Sequence, residues 1–218
     1  MGDIAAVFLV TFVEACAATL EGGASTLSDV QLLDVEADTY SATMVFVARF
    51  SHVFLDVIDG EAMRERMALL EADLCAINAP LVAHLREIGC ELQFFAHRFH
   101  LCFLTRELPL RSCQRLFLAY LALSPRVDVT RLHSAVIAAF LDLMYAQTLL
   151  RCADMGDAML AVQSAPALYL RDDLVDELLL SAAERVLRRR AYFDRQIALL
   201  ALSTLVAQLS VFSKNRRR

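Results

Sequence analysis

Tryptophan is missing from this 218-residue chain, lysine occurs once, at Lys214, and there are only six glycines and four prolines. So few backbone breakers argue against a β-sandwich or barrel, which needs frequent turn signals, and favour long helices. The single lysine lies outside any Gly-x-x-x-x-Gly-Lys phosphate loop, and no Gly-x-Ser-x-Gly elbow occurs. The signatures of P-loop nucleotide enzymes and of α/β-hydrolases are therefore absent. No Cys-x-x-Cys pair is present either. The six cysteines (Cys16, Cys75, Cys90, Cys102, Cys113 and Cys152) are scattered, and read as free, mostly buried thiols in a reducing compartment.

What is abundant is apolar: 58% of residues, with a mean hydropathy of +0.49. Ile4 to Val13 is an apolar run broken only by Thr11, but Asp3 precedes it, Glu14 follows it, and no basic segment leads into it. It lacks the pattern of a signal peptide and is shorter than the ~20 residues of a membrane span, so a buried core helix is expected. The net charge of −5 is unevenly spread. Residues 185–218 hold nine basic side chains against one acid, Asp194, which sets a basic end against an acidic body. Such a body is a poor nucleic-acid binder, and the end is a separate electrostatic unit.

Periodicity and capping signals divide the chain into about nine helices with no strand partners, an all-α array. The first runs from Asp3 to about Leu20 before Gly22-Gly23, and residues 24–35 read as a polar loop. The next helices are expected over Glu36–Ile58 and Glu61–Ile77, the latter with one buried face of Met63, Met67, Leu70, Leu74 and Ile77. A short segment from Pro80 to Gly89 follows, then a helix from Glu91 to Glu107, stopped by Pro109. Pro109 begins the helix to Leu123. Asp128 opens one to Arg151, and Met155–Gln163, Asp172–Arg190 and Gln196–Phe212 complete the series.

Three stretches carry a family resemblance. Met1-Gly2-Asp3-Ile4 with its apolar run is similar to a Gln-Gly-Met-Asn-Asp segment and the helix after it. Glu36-Ala37-Asp38-Thr39-Tyr40 is similar to an acidic segment opening the following helix. Leu92 to Phe99, running into Arg106-Glu107-Leu108-Pro109-Leu110 and Arg115-Leu116, is similar to an aromatic-Arg-Trp helix and an Arg-Glu-Leu-Pro-Leu turn. In this order they resemble the TBC domain of Rab GTPase-activating proteins, and the small, Golgi-associated type most. The likeness spans residues 1–193 and leaves 194–218 as an apolar helix with a basic tail. The fold it implies is the later part of the first TBC lobe and nearly all of the second.

The resemblance implies a regulator of Rab GTP hydrolysis in membrane traffic, cytoplasmic or peripheral on Golgi or endomembranes, with a Rab-type GTPase as partner and no cofactor. It marks Asp3, Glu36, Asp38, Tyr40, Arg98, Arg106, Glu107, Pro109 and Arg115 as structural or partner-binding residues. The family supplies an arginine finger from Ile-x-x-Asp-x-x-Arg and a glutamine finger from Tyr-x-Gln-Gly. Both precede the Met-Asn-Asp segment, and neither occurs in this chain. The expectation is a GTPase-activator scaffold without catalysis, as a fragment or as a natural short product. Ser41, Phe99 and Phe117 stand where the family has tryptophan, and Leu118 where it has an acid. Arg98 is expected to pair with an acid such as Glu36 or Asp38, and Arg106–Glu107 to fix the helix–turn geometry.

Two other features stand apart from the family. His97, His100 and Cys102 lie close on one helix, but no further ligand completes a tetrahedral metal set, so packed, hydrogen-bonded histidines are expected. Ile197 to Phe212 is a mostly apolar run between Arg188, Arg189 and Arg190 on one side and Lys214 and Arg216 on the other. At ~24 Å as a helix it is short of a ~30 Å hydrocarbon core. It suits either a final packing helix or peripheral contact with anionic lipid. A non-enzymatic helical adaptor or membrane-associated scaffold is the rival reading.

Overall fold

Four helix starts follow side-chain caps. Ser28 and Gln31 form a reciprocal capping box, and the Asn78, Asp128 and Asp154 side chains each accept from backbone N–H groups of the turn that follows. The computed structural model describes residues 2–19, 26–55, 60–125, 127–164 and 174–189. Among them are ten helices and no strand: α1 (Gly2–Ala17), α2 (Asp29–Arg49), α3 (Ser51–Leu55), α4 (Gly60–Ile77), α5 (Ala79–Glu87), α6 (Gln93–Cys102), α7 (Leu110–Leu123), α8 (Val129–Leu149), α9 (Met155–Gln163) and α10 (Leu174–Arg189). The protein is an all-α helical array.

Helix α8 is the axis of the array. It is apolar nearly all round and packs against α4, α5, α6, α9 and α10. Its length and composition would also suit a membrane span, but two thirds of that window is buried (67%) by its own neighbours, as in a core helix. A bidentate pair, Arg131 on α8 to Asp73 on α4 with both bonds at 2.8 Å, fixes the register of the two helices. At the other end α1 lies on α2 and α7. There Phe8, Phe46, Phe50, Phe103 and Phe117 form a continuous aromatic cluster, with neighbouring ring centroids 4.3–6.3 Å apart.

Three boundaries differ from the sequence reading. The stretch taken as a loop up to residue 35 enters α2 at Asp29, because Ser28-Asp29-Val30-Gln31 is a capping box whose polarity resembles a loop. The helix expected to reach Ile58 ends at Arg49, with the separate turn α3 after Phe50. The helix expected to run to Glu107 stops at Cys102, where Phe103 (φ 50°) and Leu104 (φ 59°) take left-handed conformations and both side chains are fully buried. Burial of this pair overrides local helix propensity. The Met63, Met67, Leu70 and Leu74 face of α4 is buried as the spacing predicts. Arg188 and Arg189 fall on the last turn of α10. Their side chains, together with Arg190, Lys214, Arg216 and the helix expected at 196–212, lie outside the described residues.

Candidate functional site

The turn between α6 and α7 gathers most of the motif-matched side chains. Pro109, at φ −56° and ψ 150°, is the N-cap of α7 and ends the turn. Arg98, on α6, reaches Glu107 at 2.8 Å, and Arg106 turns the other way to Asp3 in the first turn of α1, also at 2.8 Å. Arg115 of α7 pairs with Asp176 of α10. The expected partners are thus corrected. Glu36 and Asp38 point to solvent from α2, so Arg98 takes the buried Glu107 instead, and the Arg106 side chain pairs with Asp3. Tyr40 is likewise exposed.

Glu107 is buried, and its carboxylate makes no side-chain hydrogen bond of good geometry beyond the close approach of Arg98. Burial pushes its carboxyl up, while Arg98 and Arg106 pull it down. The neighbouring groups are held protonated. Burial first, and then the Glu107 charge, push the Tyr145 phenol and the Cys113 thiol each up to about 12. Neither is an activated nucleophile. The Arg98 guanidinium also lies 5.4 Å from the Phe99 ring centroid, and Phe99 fills the core against Phe95 and Phe140. Ser41 and Leu118 are both exposed, so neither belongs to the core.

A second polar cluster lies deeper and is invisible in the sequence, because its members come from three helices. Tyr120 of α7 meets Nδ1 of His133 of α8 at 2.7 Å, and His133 Nε2 meets the His100 carbonyl of α6 at 3.3 Å. A carbonyl only accepts, so Nε2 carries the proton, Nδ1 accepts, and the Tyr120 hydroxyl donates. The ring of His133 stacks on Phe103 at 4.5 Å and meets His100 edge-on at 5.3 Å. His100 is packed as expected, although its Nε2 has no hydrogen-bond partner, and His97 is only half-buried. No group of three or more His, Cys, Asp or Glu is placed to hold a metal ion among the described residues.

This cluster makes stability depend on pH. Burial pulls His133 down to about 4, with nearby Arg66 acting the same way against two backbone hydrogen bonds, and burial pulls His100 well below its usual value too. The unfolded chain binds these protons near pH 6.5 and the fold does not, so stability is complete above 6.5 and falls as pH drops from 6.5 toward about 4. His133 alone is expected to remove about 3 kcal/mol over that window. Urea denaturation at pH 7.5, 6.0 and 5.0 for the wild type and His133→Asn tests this. A pH slope as steep in the variant as in the wild type would rule it out.

No protein-family model matches the chain, and none of the curated proteins compared with it matches.

Proposed function

We propose that the chain is a TBC-type helical scaffold that binds a Rab-type small GTPase without accelerating its GTP hydrolysis. One observation carries this reading. The first and third of the stretches that resemble the family meet, and the helix that carries the second packs beside them through residues further along it. Asp3 of the first pairs with Arg106 of the third across 103 positions. Phe8, Phe46 and Phe117, one from or beside each stretch, pack with centroids 4.6–5.7 Å apart. Chance likenesses scattered along a chain have no reason to meet in space.

The inactivity follows from chemistry. Activation in trans needs an arginine aimed at the transferring phosphoryl group and a group that orients water. Neither finger motif occurs in these residues. The two arginines nearest the matched turn, Arg98 and Arg106, are each engaged by a carboxylate.

The test uses the purified full chain against a panel of Rab GTPases, with binding measured by interferometry on both nucleotide forms and hydrolysis in single turnover. Binding to at least one GTP-loaded Rab is expected, with hydrolysis near the intrinsic rate. An arginine finger supplies roughly 10³- to 10⁵-fold. Clear stimulation defeats the claim of inactivity, and no binding across the panel defeats the reading itself.

A further inference from the structure

Helix α2 is amphipathic twice over. Its inner face, with Val35, Phe46 and the partly buried Ala42, is covered by α1 and the aromatic cluster. On the opposite side Val30, Leu33, Ala37, Tyr40 and Met44 follow one another at alternating spacings of three and four, and all five are exposed. The four larger side chains retain between 48% and 68% of their accessible surface. At 3.6 residues per turn these positions fall within about 100° of arc and run along about 21 Å of helix, a second apolar stripe directly behind the first. A surface helix of a monomer normally turns charged residues to this side.

The charges lie along its margins. Asp29 and Glu36 fall on one rim and Asp34 and Asp38 on the other, all four are exposed, and no ion pair engages them among the described residues. The only basic residue of the helix, Arg49, sits at its far end and donates to Ser124. An apolar strip between two acidic rims is complementary to one kind of occupant, a helix whose apolar face is bordered by lysines or arginines. The same rims disfavour two others. An anionic membrane would be repelled, and a second copy laid symmetrically would set acid against acid.

We propose that the outer face of α2 is a docking surface for a basic amphipathic helix of a partner protein. The apolar stripe supplies contact and the paired rims supply orientation and selection for positive charge. Glu36, Asp38 and Tyr40 thereby share one role that their position away from the α6–α7 turn leaves unexplained. This surface is distinct from the Rab reading and is tested without a GTPase.

The probe is a fluorescein-labelled 18-residue amphipathic peptide of leucine and lysine, with a twin in which glutamate replaces every lysine. Anisotropy with the full chain should show the basic peptide binding at least tenfold tighter than its twin. Leu33→Ser/Tyr40→Ser, which alters no charge, should weaken binding at least tenfold while leaving the circular dichroism and melting temperature unchanged. Asp34→Asn/Asp38→Asn should weaken it severalfold, and Glu65→Gln/Glu87→Gln, an equal change of charge on α4 and α5, should not. Equal binding of both peptides, or binding indifferent to Leu33→Ser/Tyr40→Ser, overturns the proposal. So does self-association in sedimentation, or capture by phosphatidylserine vesicles, that this double variant abolishes while peptide binding is absent.

Discussion

Replacing Phe46 by alanine is expected to destabilise the fold by about 3–5 kcal/mol, the range for emptying a large aromatic from a packed core. Phe46 is fully buried and touches four rings, one at the end of its own helix and three from other parts of the chain. These are Phe8 of α1 (5.7 Å), Phe50 (4.3 Å), Phe103 at the end of α6 (5.1 Å) and Phe117 of α7 (4.6 Å). Its loss removes the ring that joins the outer helices to the rest, and rings held in several directions cannot collapse into the space. Since domains of this kind are stable by only about 5–15 kcal/mol, much of the total is at stake. Urea denaturation followed by circular dichroism measures it, with Phe46→Leu as a control near 1–2 kcal/mol. A loss below about 1.5 kcal/mol for the alanine variant would mean that α1 and α2 are held by something other than this cluster.

The second large effect lies at the buried ion pair. Removing Arg98 leaves the Glu107 carboxylate, whose side chain is 1% exposed, without its close cation. An uncompensated buried charge costs about 3–4 kcal/mol, so Arg98→Ala should be among the most damaging polar substitutions available. Removing the acid is milder. The Arg98 side chain is 39% exposed and still reaches water, so Glu107→Gln is expected to cost about 1 kcal/mol. The two differ in pH dependence as well. Burial already raises the Glu107 carboxyl, and without Arg98 it rises further, above its unfolded value. The Arg98→Ala deficit should therefore be smaller at pH 5.5 than at pH 7.5, because falling pH favours protonation of a raised carboxyl. Denaturation of both variants and of Arg98→Ala/Glu107→Gln at the two pH values decides it. A pH-independent deficit would assign the loss to packing of the arginine stem instead.

Helix content and core faces were legible because both are local patterns. The Met63–Leu74 periodicity, the Asp128 cap and the Met155–Gln163 segment needed nothing beyond neighbours in sequence. Partner choice was not local. Nothing near Arg98 indicates that Glu107, nine positions on across a left-handed turn, lies closer than the acids of α2. The sequence marks Glu107 only as part of a helix–turn motif with Arg106, and its burial comes from the fold. His133 carries no signal in the sequence because its contacts, Tyr120, His100 and Phe103, come from two other helices and a turn. The outer stripe of α2 is only partly legible for a third reason: its first two members, Val30 and Leu33, read as loop residues, and it is the capping box at Ser28 that places them on the same helix as Ala37, Tyr40 and Met44.

The left-handed pair at the end of α6 also limits which amino acids this place in the chain can accept. Glycine or asparagine would suit the backbone of Phe103 and Leu104, but one would empty a fully buried site and the other would bury an amide. Valine, isoleucine and threonine are branched at the carbon that crowds such a backbone. What remains is a narrow alphabet of large apolar side chains unbranched at Cβ. Elsewhere in this core volume can drift between aliphatic types with repacking of neighbours. At these two adjacent positions the backbone chooses among hydrophobic residues that the pattern of burial would treat as equals.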